Sequence, residues 1–394
     1  MEKSKRIYYI TALLIFLTVS LTLIKVRHYG YNLSSLIAIW QGFADLNPGY
    51  VEKNTVVFQD GGYDGQFFYL NARYLFSDLS VLPKVDSFYF RFHRIGLSVL
   101  AGMTSSITGF EHYALATLIL LSGLVVFSGI LLNKFISSNL VLAAIMLNPF
   151  VMNSTLLLVS DSLFVSLLGI SLYFLHRSSV IMFSNHTGGK YNDKQYLIAL
   201  LFLTFAIFTR ETGVLFTGSF VLYLLLNNKH KHAILMSLPV LLFAAFWISL
   251  RYVPLDFRGT SPLGFTDMID WPLFGFVKSL DLNLSSLKSL IVLPVFGFFL
   301  LLLLNLLNIK SLESFVLLLP LLGIVVIAAI AEEGYWRSFD NITRMFAPTV
   351  LWVGLLKNRS ENYRDYGLFY YTGFFLLLLV VRILLQKPLV FQVY

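Results

Sequence analysis

The chain has 394 residues, of which 57% are hydrophobic and only 13% charged, with a mean hydropathy of +0.76. Soluble domains carry about 25% charged residues, so this chain has too little charge to coat a water-soluble globule. Its net charge of +8 sits in short loops between apolar runs, which reads as membrane topology rather than nucleic-acid binding, and the lack of Cys excludes disulfides, thiolate metal sites and Cys nucleophiles.

In chain order, Lys3, Lys5 and Arg6 precede the apolar run Ile7–Ile24. The start resembles a secretory signal, but the run exceeds the usual length and no clean small-residue cleavage site follows, so it reads as a retained first span. Later runs such as Leu115–Leu132, Tyr196–Phe208 and Ile291–Leu307 approach the length that crosses a bilayer as helix. They do not alternate as the strands of a membrane barrel would, and helices satisfy the backbone in lipid. Spans are expected near 7–25, 113–132, 139–157, 161–177, 195–209, 213–226, 234–251, 287–307, 314–331, 343–356 and 366–385. The expectation is an all-α integral membrane protein with about eleven transmembrane helices, forming a single transmembrane domain. Only Gln386–Tyr394 follows the last span, so no soluble C-terminal domain is expected, and Ser178–Lys194 reads as a flexible linker.

The segment 94–110 is apolar but short, and it carries Ser98, Thr104, Ser105, Ser106 and Thr108. If it lies at the interface without crossing, most loop Lys and Arg fall on the side of the N-terminus: Arg177, Lys190, Lys194, Lys229, Lys231, Lys357, Arg359 and Arg364 among them. The opposite loops after residue 113 then carry few cations. A crossing 94–110 would invert that bias. Positive-inside logic therefore favours a juxtamembrane 94–110, a cytoplasmic N-terminus and a multi-pass inner-membrane protein. The extracytoplasmic features are then a long first loop (26–112), an aromatic loop (252–286, with Trp271 and Phe274) and the polar turn 332–342.

The notable charges gather on that outer side, while helix interiors are nearly free of them; Arg382 is the main exception and is expected to snorkel to a helix end. Ion-coupled carriers usually keep ionisable groups near the midplane, so the pattern suits an interfacial enzyme better. In the first loop, Tyr63-Asp64-Gly65-Gln66-Phe67-Phe68-Tyr69 places an acid before a turn-permitting glycine and an aromatic anchor. By itself this is either a turn Asp beside an interface anchor or a general base. Asp60 is a second acid nearby. Thr209-Arg210-Glu211-Thr212-Gly213 is either an ordinary turn with an internal ion pair or part of a site, and Asp161 is either a helix N-cap or a functional acid. Arg344, in Asn341-Ile-Thr-Arg344-Met-Phe-Ala-Pro348, either snorkels or binds an anion.

Taken together, these strings resemble a polytopic glycosyltransferase of the C superfamily, the GT-C fold. The Tyr63–Tyr69 run followed by Arg91 and Arg94 is similar to a group of bacterial mannosyltransferase-like membrane proteins, as are the Phe208–Gly213 turn and the Asn341…Arg344…Pro348 string. The resemblance implies a GT-C-like bundle with juxtamembrane helices in its long first loop. It implies an inverting transferase that moves a sugar from a polyprenyl-phosphate donor to a hydroxyl acceptor on the extracytoplasmic face. Asp64 would be the catalytic base and Asp161 the second acid. Arg344, Arg210 and Arg94 would hold the lipid phosphate, with Gln66, Glu211 and His93 also binding substrate. No cofactor is expected; a divalent metal on Asp64 and Asp161 is the less favoured alternative. The alternative function is a lipid-linked saccharide flippase or other carrier.

The expected topology has a direct test. With no native Cys, a His230→Cys variant should resist an impermeant maleimide in intact cells and react after permeabilisation. Labelling from outside would overturn the scheme.

Overall fold

The computed structural model describes residues 3–77, 79–181, 191–255, 268–280, 312–359 and 366–394. The span expected at 287–307 lies outside them, as do parts of the 178–194 and 252–286 loops. The chain is mostly helical. Five helical segments are long and apolar enough to cross a membrane: Lys5–Tyr29, Phe110–Leu132, Asn139–Leu156, His230–Tyr252 and Gly367–Leu385. This supports an integral membrane protein.

In chain order the helices are α1 (Lys3–Val26), α2 (Gln41–Leu46), α3 (Gly65–Phe76), α4 (Phe88–Phe92), α5 (Ile95–Thr108), α6 (Tyr113–Leu132), α7 (Asn139–Met146), α8 (Pro149–Leu156), α9 (Ser160–Arg177), α10 (Asp193–Thr209), α11 (Gly213–Leu226) and α12 (His230–Ser249). The helices Leu312–Ile330, Phe339–Arg359 and Tyr366–Leu385 follow, with two short ones at Phe274–Ser279 and Glu333–Arg337.

Side-chain contacts fix which ends of these helices lie together. Arg6, buried near the start of α1, donates to Asn133 Oδ1 and Asn139 Oδ1 at 2.8 Å and to the Ser137 carbonyl at 2.9 Å, just past the end of α6. The turn Leu33–Leu36, beyond the end of α1, packs on α6. Helices α1 and α6 are therefore antiparallel. Phe135 stacks on His176 with ring centroids 4.7 Å apart, joining the ends of α6 and α9. Asp161 at the start of α9 meets Arg210 at the end of α10. The start of α6, the start of α9 and the end of α10 thus share one end of the bundle.

This settles how α5 lies. A Cβ on Gly96 would come 2.3 Å from Thr209 Oγ1, so the start of α5 packs against the end of α10, and its last residues lead through Phe110–His112 into α6. Both ends of α5 are at the same end of the bundle. The helix Ile95–Thr108 therefore does not run from one end of the bundle to the other.

Three features add to or depart from the sequence reading. The segment 139–157 is two helices rather than one, broken at Leu147-Asn148, with Pro149 at the first turn of α8 and Asn148 capping Phe150 N–H at 3.0 Å. Proline's fixed φ and missing donor suit it to that first position. The fold also contains a small three-stranded sheet, β1 (Ile39–Trp40), β2 (Val56–Phe58) and β3 (Phe391–Val393), with β1–β2 parallel and β2–β3 antiparallel. The residues after the last helix are therefore a strand of the first loop's sheet. Finally, Arg382, in the last turn of its helix, makes a bidentate pair with Asp340 at 2.6 Å for each bond. Asp340 also accepts from Asn153 at 2.9 Å, and Asn153 reaches Thr343 at 2.9 Å, so α8 and Tyr366–Leu385 clamp the first turn of Phe339–Arg359.

The sheet and α8 together seat the Asp64 turn. A Cβ on Gly65 would lie 2.8 Å from the carbonyl oxygens of both Ile37 and Leu157. Backbone on both sides cannot swing away as a flexible side chain would. Gly65→Ala should therefore cost about 1–3 kcal/mol, the range for overpacking, read as a lower thermal unfolding midpoint in detergent; an unchanged midpoint would contradict this packing.

Candidate functional site

Six charged side chains from five separate stretches of the chain form an alternating series at the shared end of the bundle. Asp86 receives two bonds from Arg91, from Nε at 2.8 Å and Nη2 at 2.5 Å. Arg91 Nη1 donates to Asp64 Oδ1 at 3.0 Å. The other oxygen of Asp64 accepts from Arg344 Nη1 at 2.5 Å. Arg344 Nε donates to Asp161 Oδ2 at 2.8 Å, and Arg210 Nε lies 3.0 Å from Asp161 Oδ1. Three carboxylates thus alternate with three guanidiniums. Such pairing is required of charges held this far from water, because a lone buried charge would be far costlier.

Each member is placed by a local device. Asp64 immediately precedes α3, whose first residue, Gly65, leaves room for the carbonyls of Ile37 and Leu157. Arg91 lies in α4, and its guanidinium sits 4.0 Å from the centroid of the Phe67 ring. Asp161 is in the first turn of α9, after a sharp turn in which Leu158 adopts φ +50°. A non-glycine residue in the left-handed region is uncommon and marks a constrained connection. Arg344 lies in the second turn of Phe339–Arg359, the helix clamped through Asp340 and Asn153. Its guanidinium lies over the Tyr63 ring at 5.7 Å, and Tyr63 donates to Asn341 Oδ1 at 3.2 Å.

Beside this series stands a second cluster. Arg94 holds Glu211 through Nε at 2.8 Å and Nη2 at 2.5 Å. His93 Nε2 lies 3.3 Å from Glu211, and its Nδ1 lies 2.9 Å from the Tyr89 carbonyl. The Arg210–Glu211 turn therefore contains no internal ion pair of its own: Arg210 turns to Asp161 and Glu211 to Arg94. Likewise Asp161 is no simple cap, since both its oxygens face guanidiniums and its side chain is only 2% exposed.

A cavity of about 1170 Å³ adjoins the series. Asp161, Arg210, Arg344, His93, Arg94 and Glu211 line its polar part, and Phe164, Leu215, Phe243, Ile324, Ile327 and Met345 line its apolar part. Asp64 and Gln66 are not among the lining residues. Asp64 stands behind Arg344 with 20% of its side chain exposed. Gln66 is buried, and its Oε1 accepts the Trp40 N–H at 2.9 Å, which ties α3 to β1. Of the loop 252–286, Tyr252, Val253, Pro254, Leu255, Met268 and Ile269 line the cavity, whereas Trp271 is 79% exposed and does not.

The electrostatics follow from the pairing. Burial alone would raise the Asp64 carboxyl, but Arg91 and Arg344 outweigh it and hold the group well below the usual carboxylate range. Glu211 shows the same contest, won by Arg94 with help from His93 and Arg210. Asp64 is thus a carboxylate at neutral pH, with a proton affinity suppressed by two cations. Among the described residues no three His, Cys, Asp or Glu side chains come together. Asp64 and Asp161, the pair weighed as metal ligands, both face the one guanidinium of Arg344.

Two participants escaped the sequence reading. Asp86 was in no motif, and its only signal was its place five residues before Arg91. Asp340 lies one turn before Arg344, which a helical periodicity could have flagged. No protein-family model, curated protein or solved structure matches this chain.

Removing Arg344 would leave Asp64 and Asp161 facing each other without their shared cation. Arg344→Gln should cost about 3–5 kcal/mol at neutral pH. A carboxylate whose folded pKa is depressed contributes stability above its unfolded value of about 3.9 and loses it as pH falls toward the folded value. The deficit of Arg344→Gln should therefore hold steady from pH 8 to about 5 and shrink below about 4, followed by unfolding in detergent. A deficit that grows on acidification would contradict the assignment.

Proposed function

We propose that this chain is an inverting glycosyltransferase of the GT-C type, which transfers a sugar from a polyprenyl-phosphate donor to a hydroxyl acceptor at the extracytoplasmic surface of the inner membrane. About eleven spans with a cytoplasmic N-terminus would bring the long first loop, the 209–213 turn and the start of Phe339–Arg359 to that surface. The observation that carries the reading is the bridging of Asp64 and Asp161 by Arg344, at the polar end of a cavity whose remaining wall is apolar. An amphiphile with a charged head and a hydrocarbon tail matches such a cavity better than a freely soluble sugar nucleotide does.

The residues divide between two approaches. Arg344 and Arg210 line the cavity, where a lipid-linked donor would lie. Asp64 stands on the far side of Arg344 with 20% of its side chain exposed, which suits it to receive the acceptor hydroxyl. In the transfer, the acceptor oxygen attacks the anomeric carbon while Asp64 takes its proton. The bond from that carbon to the phosphate oxygen breaks, and the electron pair leaves on the phosphate, where a guanidinium stabilises the charge. Asp161 keeps Arg344 and Arg210 oriented through the step. A guanidinium drawn toward the leaving phosphate relaxes its hold on Asp64, so the base strengthens as the leaving group takes up charge.

The concentration of charge at one end of the bundle favours this reading over a carrier. Supplied with a radiolabelled hexosyl polyprenyl phosphate in liposomes, the wild-type protein should transfer sugar to acceptor. Asp64→Asn should lower the rate by at least about a hundredfold while remaining monodisperse and helical. Full activity in that variant would remove Asp64 from the mechanism. Translocation of the lipid without sugar transfer would favour the carrier.

A further inference from the structure

Of the four arginines that line the cavity, three are already committed. Arg94 is held by Glu211, Arg210 by Asp161, and Arg344 by both Asp161 and Asp64. The fourth is Arg251, which no sequence motif singled out. It lies in the turn Leu250–Tyr252 that prolongs α12, and among the described residues it has no carboxylate partner. Its guanidinium instead packs against two rings, 5.0 Å from the Tyr89 centroid and 5.1 Å from that of Trp247, and both rings also line the cavity. Aromatic faces hold a guanidinium in place without neutralising it. Its hydrogen-bond donors stay available for a ligand, in a fork that suits phosphate oxygens.

The comparison decides which cation meets an incoming anion first. Arg344, Arg210 and Arg94 each meet an incoming phosphate with their charge already spent in a carboxylate pair, so the phosphate gains less from them, and drawing them away would leave that carboxylate short of its partner. Arg251 gives up no such pair. It also adjoins the apolar part of the cavity: Trp247 and Phe243 lie on its own helix α12, and Ile324 and Ile327 lie across from it on Leu312–Ile330. A phosphate on Arg251 would therefore leave an attached hydrocarbon chain against apolar side chains.

We propose that Arg251, framed by Tyr89 and Trp247, is the primary docking cation for the phosphate of a lipid-linked substrate, ahead of the three paired arginines. This rests on the lipid-phosphate reading above and names the residue that anchors that substrate class. The role is binding, since Arg251 is not placed among the groups that handle the transferred proton.

Isothermal titration of the purified full chain in detergent separates the possibilities, with farnesyl phosphate, farnesol and inorganic phosphate as probes. The wild type should bind farnesyl phosphate more tightly than farnesol. Arg251→Gln should weaken farnesyl phosphate at least about tenfold and leave farnesol unchanged, while Arg251→Lys keeps most of the affinity. Inorganic phosphate should bind far more weakly than the prenyl ester, which sets a lipid-borne phosphate apart from a free one. Farnesyl phosphate affinity in Arg251→Gln within about twofold of wild type would overturn the proposal, as would an equal loss for farnesol. If Arg344→Gln abolishes the phosphate preference and Arg251→Gln does not, Arg251 is excluded while the lipid-phosphate reading stands. If the wild type binds farnesol as tightly as farnesyl phosphate, both fall.

Discussion

Arg344 sits between two carboxylates that are 97 residues apart in sequence by their numbers, Asp64 and Asp161, and it binds both. Around that guanidinium the surrounding structure has an evident purpose. The first loop must fold back tightly enough to bring Asp64 to it, α9 must begin with Asp161 turned inward, and Phe339–Arg359 must hold its second turn at a fixed height. Each demand is met by backbone packing or by a further polar clamp: Gly65 against two carbonyls, the left-handed Leu158 before α9, and Asp340 gripped by Arg382 and Asn153. A charge series of this kind tolerates little displacement, because the cost of an unpaired buried charge rises as soon as one partner withdraws.

The same arrangement gives the site a resting state with defined chemistry. With two cations on Asp64, the carboxylate is ionised but a poor proton acceptor. Its basicity depends on how far Arg344 and Arg91 are drawn elsewhere. In the proposed transfer, a phosphate in the adjoining cavity would compete for Arg344, which lines it, and would so couple the presence of donor to the strength of the base. Arg251 complements this logic: a cation held by aromatic rings can receive the anion without first dismantling the series.

The apolar part of the cavity and the charged end belong to one design. Helices α11, α12 and Leu312–Ile330 supply apolar side chains, while the polar ones come from elsewhere: His93 and Arg94 between α4 and α5, Asp161 at the start of α9, Arg210 and Glu211 between α10 and α11, and Arg344 in the second turn of Phe339–Arg359. Charge is thus gathered near helix ends, where insertion into lipid costs least. A substrate that is itself polar at one end and apolar at the other would meet matching surfaces along its length.

Membrane residence and the helical character were legible in the sequence, because run length follows directly from the cost of placing polar groups in lipid. The candidate acids and bases were legible too, since few charges occur beside so many apolar residues and each one stands out. The break at Asn148-Pro149, the small sheet closed by Phe391–Val393, and the partner of Arg382 were not, for each depends on what lies opposite in space. The division of labour at the site was equally hidden: Gln66 spends its side chain on Trp40, Asp86 joins through Arg91, and Arg251 alone keeps a guanidinium without an acid among the described cavity arginines. A sequence states which residues carry charge; pairing is a property of distance, and only the folded chain sets which cation is spent on structure and which is left for a ligand.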